Sequence, residues 1–255
     1  MIQLKRLTKC YGQDKVVSDL TLTVLTGEIL VVLGGSGSGK TTLLKMINRL
    51  VEPTTGTVQI NGTDTSTMPP YQLRRQIGYV FQQVGLFPHM TVSENVAVTP
   101  SLLGWKPARI RNLVDELLEL VELNPIMMRN RKPNELSGGQ QQRVGVARAL
   151  AAGPEVMLLD EPFGALDPLT RGRLQESFKT IQHEIGLTAV FVTHDMTEAL
   201  MLGNRIAIMQ SGKLIQIGTP HELLHQPATE YVEGLMSTPR RQAAIVSQLA
   251  SESTT

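Results

Sequence analysis

The run "GGSGSGKTT", residues Gly34–Thr42, constrains this chain more than any other stretch. It follows the apolar run "ILVVL" and leads into "LLKMINRL", a helical pattern. A strand that ends in such glycines and turns at once into a helix aims several backbone N–H groups at one point. The positive end of the helix points the same way. An anion carrying phosphates suits that geometry. Lys40 can reach the β- and γ-phosphates of a nucleotide, and the Thr41 hydroxyl is placed to ligate Mg²⁺. The candidate cradle is therefore Gly34, Gly35, Ser36, Gly37, Ser38, Gly39, Lys40, Thr41 and Thr42, in the strand–loop–helix context of a P-loop.

Around it, short apolar runs alternate with helical patterns, which predicts an α/β architecture with a largely parallel core sheet. Strands are expected at Ile2–Leu7, Thr21–Leu25, Glu28–Leu33, Thr57–Ile60 and Ile77–Phe81, with a helix from Thr41 to about Leu50. The texture then turns helical over about 84–152. There Ile110, Leu113, Val114, Leu117, Leu118 and Val121 form one helix face behind Pro107. Strands return at Val156–Leu159, Thr188–Thr193, Arg205–Met209 and Leu214–Ile217, the last two joined by the turn in "QSGKL". Thr219, Pro220 and Glu222 read as a capped helix start. The polar stretch after Ser237 is expected to fray or to form a short helix.

Charge narrows the function. Twenty-four Lys plus Arg offset 23 Asp plus Glu, a net +1 that argues against a dedicated nucleic-acid surface. The apolar runs fall far short of the ~18 residues of a membrane span. "MIQLKRLTK" lacks the apolar region of a secretion signal, so a soluble, cytoplasmic chain is expected. The lone Cys10 reads as a packing residue, "RNRK" (Arg129–Lys132) as a solvated face, and Met127 and Met128 as core filler.

A second chemical feature is "VMLLDEP", Val156–Pro162, an apolar strand ending in two acids. Adjacent carboxylates repel unless a cation or hydrogen bonds hold them. With Mg²⁺ and a nucleotide present, Asp160 would support the metal and Glu161 would polarise an attacking water. No "NKxD" run for reading guanine occurs, which disfavours a GTPase. The third feature is a second serine–glycine helix start, "NELSGGQQQRVGVARAL", about 100 residues after the first. One phosphate chain needs only one such cradle.

"LSGGQ" (Leu136–Gln140) resembles the signature of ABC-type ATPases. The order P-loop, "FQQ", "LSGGQ", "LLDEP", "ALD", "THD" resembles that family over residues 2 to about 236. The resemblance implies a RecA-like P-loop core, an N-terminal antiparallel β subdomain and an α-helical subdomain inserted at about 84–152, with a short tail over 237–255. It also answers the question of the second cradle. In this family two copies pack head to tail, and each ATP lies between one copy's P-loop and the other's signature. Ser137, Gly138, Gly139 and Gln140 then serve the partner's nucleotide, Ser137 and Gly139 at its γ-phosphate. By the same resemblance Tyr11 stacks on adenine with Val16 beside it, and Gln82 senses Mg²⁺ and water where the helical lobe hinges. Asp167 faces the partner copy, and His194 bonds the γ-phosphate and positions the water. His89, His183, His221 and His225 carry no such match and read as structural.

For cargo, "KMINRLVEPTTG" and "QQVGLFPHMTVSENVAVTPSLLGW" resemble the ATPases of osmoprotectant importers, which take up quaternary amines such as glycine betaine, choline or carnitine. That implies an ATPase homodimer on the inner face of the membrane under two transmembrane permease subunits. A substrate-binding protein is involved indirectly, and nucleic acid is not. Phe87, Pro88 and His89 fall in the region that receives the permease. Many members carry paired CBS modules after the ATPase. This sequence ends at Thr255, so sensing by such modules is not expected. Gly35 stands where relatives often have proline or threonine, which should leave the cradle intact. The competing readings are an importer ATPase for another solute such as an amino acid, a soluble ABC ATPase acting on DNA or ribosomes, and a kinase or nucleotide-binding regulator. The short helical lobe and near-neutral charge weaken the second. Glu161 and His194 together weaken the third.

Overall fold

The computed structural model describes residues 1–252 apart from Val84 and Ala165. The chain opens with β1 (Ile2–Tyr11) and β2 (Asp14–Val24), then β3 (Ile29–Leu33), α1 (Lys40–Ile47), β4 (Thr55–Ile60), β5 (Thr63–Asp64), α2 (Pro70–Gln76) and β6 (Ile77–Val80). Four helices follow: α3 (Val92–Leu102), α4 (Pro107–Leu120), α5 (Pro125–Met128) and α6 (Gly138–Leu150). The second half holds β7 (Val156–Asp160), α7 (Pro168–Ile185), β8 (Thr188–Thr193), α8 (Met196–Leu202), β9 (Arg205–Gln210), β10 (Lys213–Gly218), α9 (Pro220–His225) and α10 (Glu230–Glu252).

Two sheets result. The first is antiparallel, in the order β2-β1-β4-β5. The second runs β10-β9-β3-β8-β7-β6, parallel from β9 to β6, with β10 added antiparallel through the turn at Ser211 and Gly212. Both turn residues have positive φ, 47° and 77°, as a tight hairpin turn of this kind requires.

The parallel strands are buried on both faces, which is why they read as unbroken apolar runs. Alternate residues serve different cores. Leu30, Val32, Leu158, Val190 and Val192 pack with α1 and the antiparallel sheet. Val31, Leu33, Leu159 and Phe191 pack toward the helical lobe, α7 and α8. In register, Leu33 lies opposite Thr193, and Asp160 opposite Val192. The carboxyl ends of β3, β7 and β8 are therefore level. Everything that leaves those ends meets there, as is general in open α/β sheets.

The tail differs from expectation. The helix α10 starts at Glu230 and runs through Ser237 to Glu252, anchored by the buried Val232 and Met236. Those two apolar residues precede the polar stretch and seed the helix that continues into it. Residues 253–255, and position 84 at the start of the expected helical segment, lie outside the described residues. Met127 also departs from its core assignment. It is 60% exposed beside Ile126 on the one-turn helix α5, whereas Met128 does pack against the core. A single turn buries only one side of itself.

Candidate functional site

The first helix after the glycine loop lacks the side-chain cap that five later helices have. α3, α6, α7, α8 and α9 each start on a side chain that accepts a backbone N–H: Thr91, Ser137, Asp167, Asp195 and Thr219. α1 starts on Gly39, in the left-handed region at φ 100°, with no side-chain cap and no acid in its first turn. Its first N–H groups are thus left for an outside anion. Gly39 cannot be replaced cheaply, since a Cβ there would stand 2.6 Å from the Val16 carbonyl oxygen. Gly34 is equally tight, with a Cβ 2.2 Å from the Met209 carbonyl oxygen. A Cβ on Gly35 would meet nothing within 4 Å, so that position has room for a side chain.

Lys40 is buried under the loop. Its Nζ donates to the carbonyl oxygens of Gly34 and Gly35, both at 2.8 Å, and to Ser38 Oγ at 3.4 Å. Burial lowers its pKa, against the pull of Glu161 and Asp160. The ammonium holds the loop curled and is itself poised to gain from an anion.

A cleft of about 630 Å³ opens over this cradle, lined by Val16, Gly35–Thr42, Gln82, Glu161 and His194. Glu161 follows β7 with φ 47°, a left-handed conformation costing an L-residue roughly 1–2 kcal/mol. That backbone turns its carboxylate toward the cleft. His194 Nδ1 lies 3.0 Å from Glu161 Oε1, and Gln82 Nε2 donates to Glu161 Oε2 at 3.3 Å. Residues from two other β-strand ends thus converge on the Glu161 carboxylate. A carboxylate so held at the mouth of a phosphate cradle is placed to accept a proton from water.

The pair Thr41 and Asp160 forms the metal-like corner. Thr41 Oγ1 donates to Asp160 Oδ1 at 3.1 Å, and Asp160 is buried, its pKa raised chiefly by desolvation. Two hard oxygens this close, one on a carboxylate that burial penalises, suit a divalent cation. Among the described residues no cluster of three or more His, Cys, Asp or Glu side chains could hold a metal. A cation here would need phosphate oxygens and water to complete its shell.

Other expected residues lie outside the cleft. Tyr11 ends β1, half exposed, with Lys9 Nζ 5.0 Å from its ring centroid, and it is not among the lining residues. Ser137, Gly138, Gly139 and Gln140 are also absent from the lining. They form a reciprocal cap in which Ser137 N–H donates to Gln140 Oε1 at 3.0 Å and Gln140 N–H donates to Ser137 Oγ at 3.3 Å. Ser137 and Gly138 are exposed. Asp167 is exposed too and caps α7 by accepting from the Thr170 N–H, which lowers its pKa.

Sequence reasoning missed Gln142, which is 2% exposed and reaches from α6 to donate to the Glu161 carbonyl at 3.4 Å. It ties the helix behind "LSGGQ" to the strained Glu161 backbone. A polar residue on the inner face of α6, among Val144, Ala147 and Leu150, was the available signal.

Comparison with known proteins shows the family of the chain. The family described as ABC transporter matches residues 17–164. The chain is 50% identical over 241 residues to the glycine betaine/carnitine/choline transport ATP-binding protein OpuCA of Bacillus subtilis, covering 94% of this chain and 63% of that protein. It is 49% identical over 232 residues to the glycine betaine uptake system ATP-binding protein YehX of Escherichia coli, covering 91% and 75%. Among solved structures, the dimeric post-hydrolysis state of the ATP-binding cassette MJ0796 bound to ADP and Pi superposes with a TM-score of 0.81. Its identity is 36%, covering 86% of this chain and 99% of that one. The chain spans 60% to 64% of the length of several of the curated relatives it matches.

Proposed function

The chain belongs to the ABC transporter family of ATP-binding proteins, and from that premise we propose that it is the ATP-hydrolysing subunit of an importer for quaternary-amine osmoprotectants. In this reading two copies pair head to tail beneath two permease subunits, on the inner face of the membrane. The observation that carries it is the separation of the two helix starts. The α1 cradle opens into the cleft with Glu161, Gln82 and His194. The Ser137 start, with its exposed serine and first glycine, is not part of that cleft. A surface built to meet phosphate but facing no phosphate of its own is intelligible if it serves a second copy. That MJ0796 is dimeric supports an assembly of two copies.

The reading assigns each residue a role. The uncapped α1 N–H groups and Lys40 bind the β- and γ-phosphates. Glu161 takes the proton of the attacking water, while His194 orients both that water and the γ-phosphate. Thr41 and Asp160, with Gln82 alongside, would hold Mg²⁺, which supplies neutralisation of the phosphate charge when bound. Val16 and Tyr11 border the adenine end, and Asp167 faces the partner. Loss of the γ-phosphate removes contacts to both copies, so hydrolysis lets the halves separate. The helical segment of about 84–152 moves with the signature it carries.

For cargo, the relatives named for glycine betaine, carnitine, choline or osmoprotectants run from 49% to 52% identity. Those named for spermidine/putrescine and sulfate/thiosulfate stand at 47% and 45%. An uptake panel in a deletion strain should therefore set betaine, choline and carnitine against spermidine, sulfate and amino acids.

Trans pairing is tested by mixing two dead variants, Lys40→Ala and Ser137→Arg. Statistical exchange makes half of the dimers mixed, and each mixed dimer has one intact site, so about a quarter of the parental turnover returns. A mixture as inactive as its components would place the whole site within one chain.

A further inference from the structure

Behind His194 lies a buried carboxylate with no part in the site described so far. Glu198, on α8, is 5% exposed. It occupies the third helical position after the cap Asp195, where a glutamate ordinarily reaches back to the cap residue's own N–H. The chain forms that reciprocal cap elsewhere, at Thr91 with Glu94 and at Thr219 with Glu222. Glu198 is instead turned inward. Its Oε2 accepts from Thr193 Oγ1 at 2.6 Å and its Oε1 accepts from Gln175 Nε2 at 3.0 Å. The Asp195 N–H it would have taken donates to Thr193 Oγ1 at 2.9 Å.

The arrangement brackets His194. Thr193 on one side is fixed by Glu198. Asp195 on the other is fixed by Thr193 and also faces Arg171, whose Nη1 stands 3.6 Å from Asp195 Oδ2. Arg171 and Gln175 are one turn apart on α7, the helix capped by the exposed Asp167. The same α7 face thus grips the His194 segment at two points, and Glu198 is the group through which the buried one acts. A small cavity of about 70 Å³ is lined by Glu161 and His194 together with Glu198 and Arg171. His194 itself is 66% exposed and, among the described residues, makes its ion-pair contact only with Glu161, so its direction depends on the backbone that carries it.

We propose that Glu198 is a positioning residue for hydrolysis: through Thr193 it fixes the His194 segment to α7, and so links the imidazole's placement to the helix behind Asp167. This deepens the reading given above and rests on His194 acting on the γ-phosphate. Glu198 touches no reacting atom. Its effect should therefore fall on turnover and not on nucleotide affinity. Misplacing a catalytic group by ~1 Å can cost on the order of 10²-fold.

The test uses the whole chain and measures kcat, KM for ATP and the Kd of a fluorescent ATP analogue in Glu198→Ala, Glu198→Gln, Thr193→Val and His194→Ala. Glu198→Ala and Thr193→Val are expected to lose about ten-fold or more in kcat, with Kd within about two-fold of the parent. Glu198→Gln keeps the side-chain shape and an acceptor oxygen and should recover most of the turnover. Thr193→Val removes only a hydroxyl and stands in if Glu198→Ala does not fold. The proposal is overturned if both variants keep parental kcat while His194→Ala loses it, or if Kd rises in step with the fall in kcat. It is also overturned if Glu198→Gln is as impaired as Glu198→Ala. Parental turnover in His194→Ala would instead overturn the role given to His194.

Discussion

Glu161 pays for its position in backbone strain, and that strain can be measured by comparing Glu161→Gly with Glu161→Ala. Both substitutions remove the contacts from His194 and Gln82, so their difference isolates the backbone at φ 47°. Alanine retains the left-handed penalty of about 1–2 kcal/mol. Glycine escapes it but gives the unfolded chain more freedom, worth about 0.4–1 kcal/mol in the opposite direction. The net favours glycine by roughly 0.5–1 kcal/mol, which is about 1–4 °C in melting temperature for a chain of this size. Differential scanning calorimetry without nucleotide reads that gap, and both variants should lose about 10²- to 10⁴-fold in ATP turnover. Inside an ordinary helix or strand glycine melts below alanine. If Glu161→Ala melted at or above Glu161→Gly, the left-handed turn would not be strained, and the argument that the site stores energy at its carboxylate would be wrong.

Two further outcomes follow from the cradle. Gly34→Ala forces a Cβ to 2.2 Å from the Met209 carbonyl oxygen and should cost about 1–3 kcal/mol, whereas Gly35→Ala has open space and should melt with the parent; equal melting temperatures for the two would contradict the packing. Asp160→Asn keeps an acceptor for Thr41 while removing a buried charge. Because burial raises the Asp160 pKa above its ordinary 3.8, the folded state holds that proton more tightly than the unfolded chain. Stability is therefore lost as pH rises through the folded pKa, and the deficit persists at neutral pH. Without nucleotide the asparagine variant should melt above the parent at pH 7, by a margin that shrinks toward pH 4, while hydrolysis is lost; a lower melting temperature at pH 7 would show that the charge is already compensated.

What could be read from the residues alone follows from the range of the interactions. β3, β7 and β8 were legible because burial on both faces leaves only apolar residues. The Thr219 helix start was legible because its cap is local in sequence. β1 and β2 extend further than their apolar runs, to Tyr11 and from Asp14, because their polar ends pair with each other at the hairpin rather than with the core. α7 gave little periodic signal, since its inner face mixes Leu174 and Phe178 with the buried Gln175 and Gln182. The cradle and the Asp160–Glu161 pair were recognisable by residue type and spacing. Gln142 and Glu198 were not, because what they do depends on Glu161 and on Thr193 and Gln175, partners brought to them only by the fold.

The choice of serine at position 137 follows from the same chemistry. Any residue that accepts an N–H could cap α6, and aspartate does so at α7 and α8. A cap that must also meet a phosphate faces a second requirement. Ser137 Oγ accepts the Gln140 N–H through a lone pair, which leaves its own proton free to donate outward. The capping bond thus fixes the oxygen and turns the hydroxyl into a donor at the positive end of a helix, next to the N–H groups of Gly138 and Gly139. Aspartate there would hold the helix equally well and repel the anion. In the proposed dimer, the side chain that stabilises α6 within one copy would already be oriented for the other copy's nucleotide, and closure would require no cap to be broken.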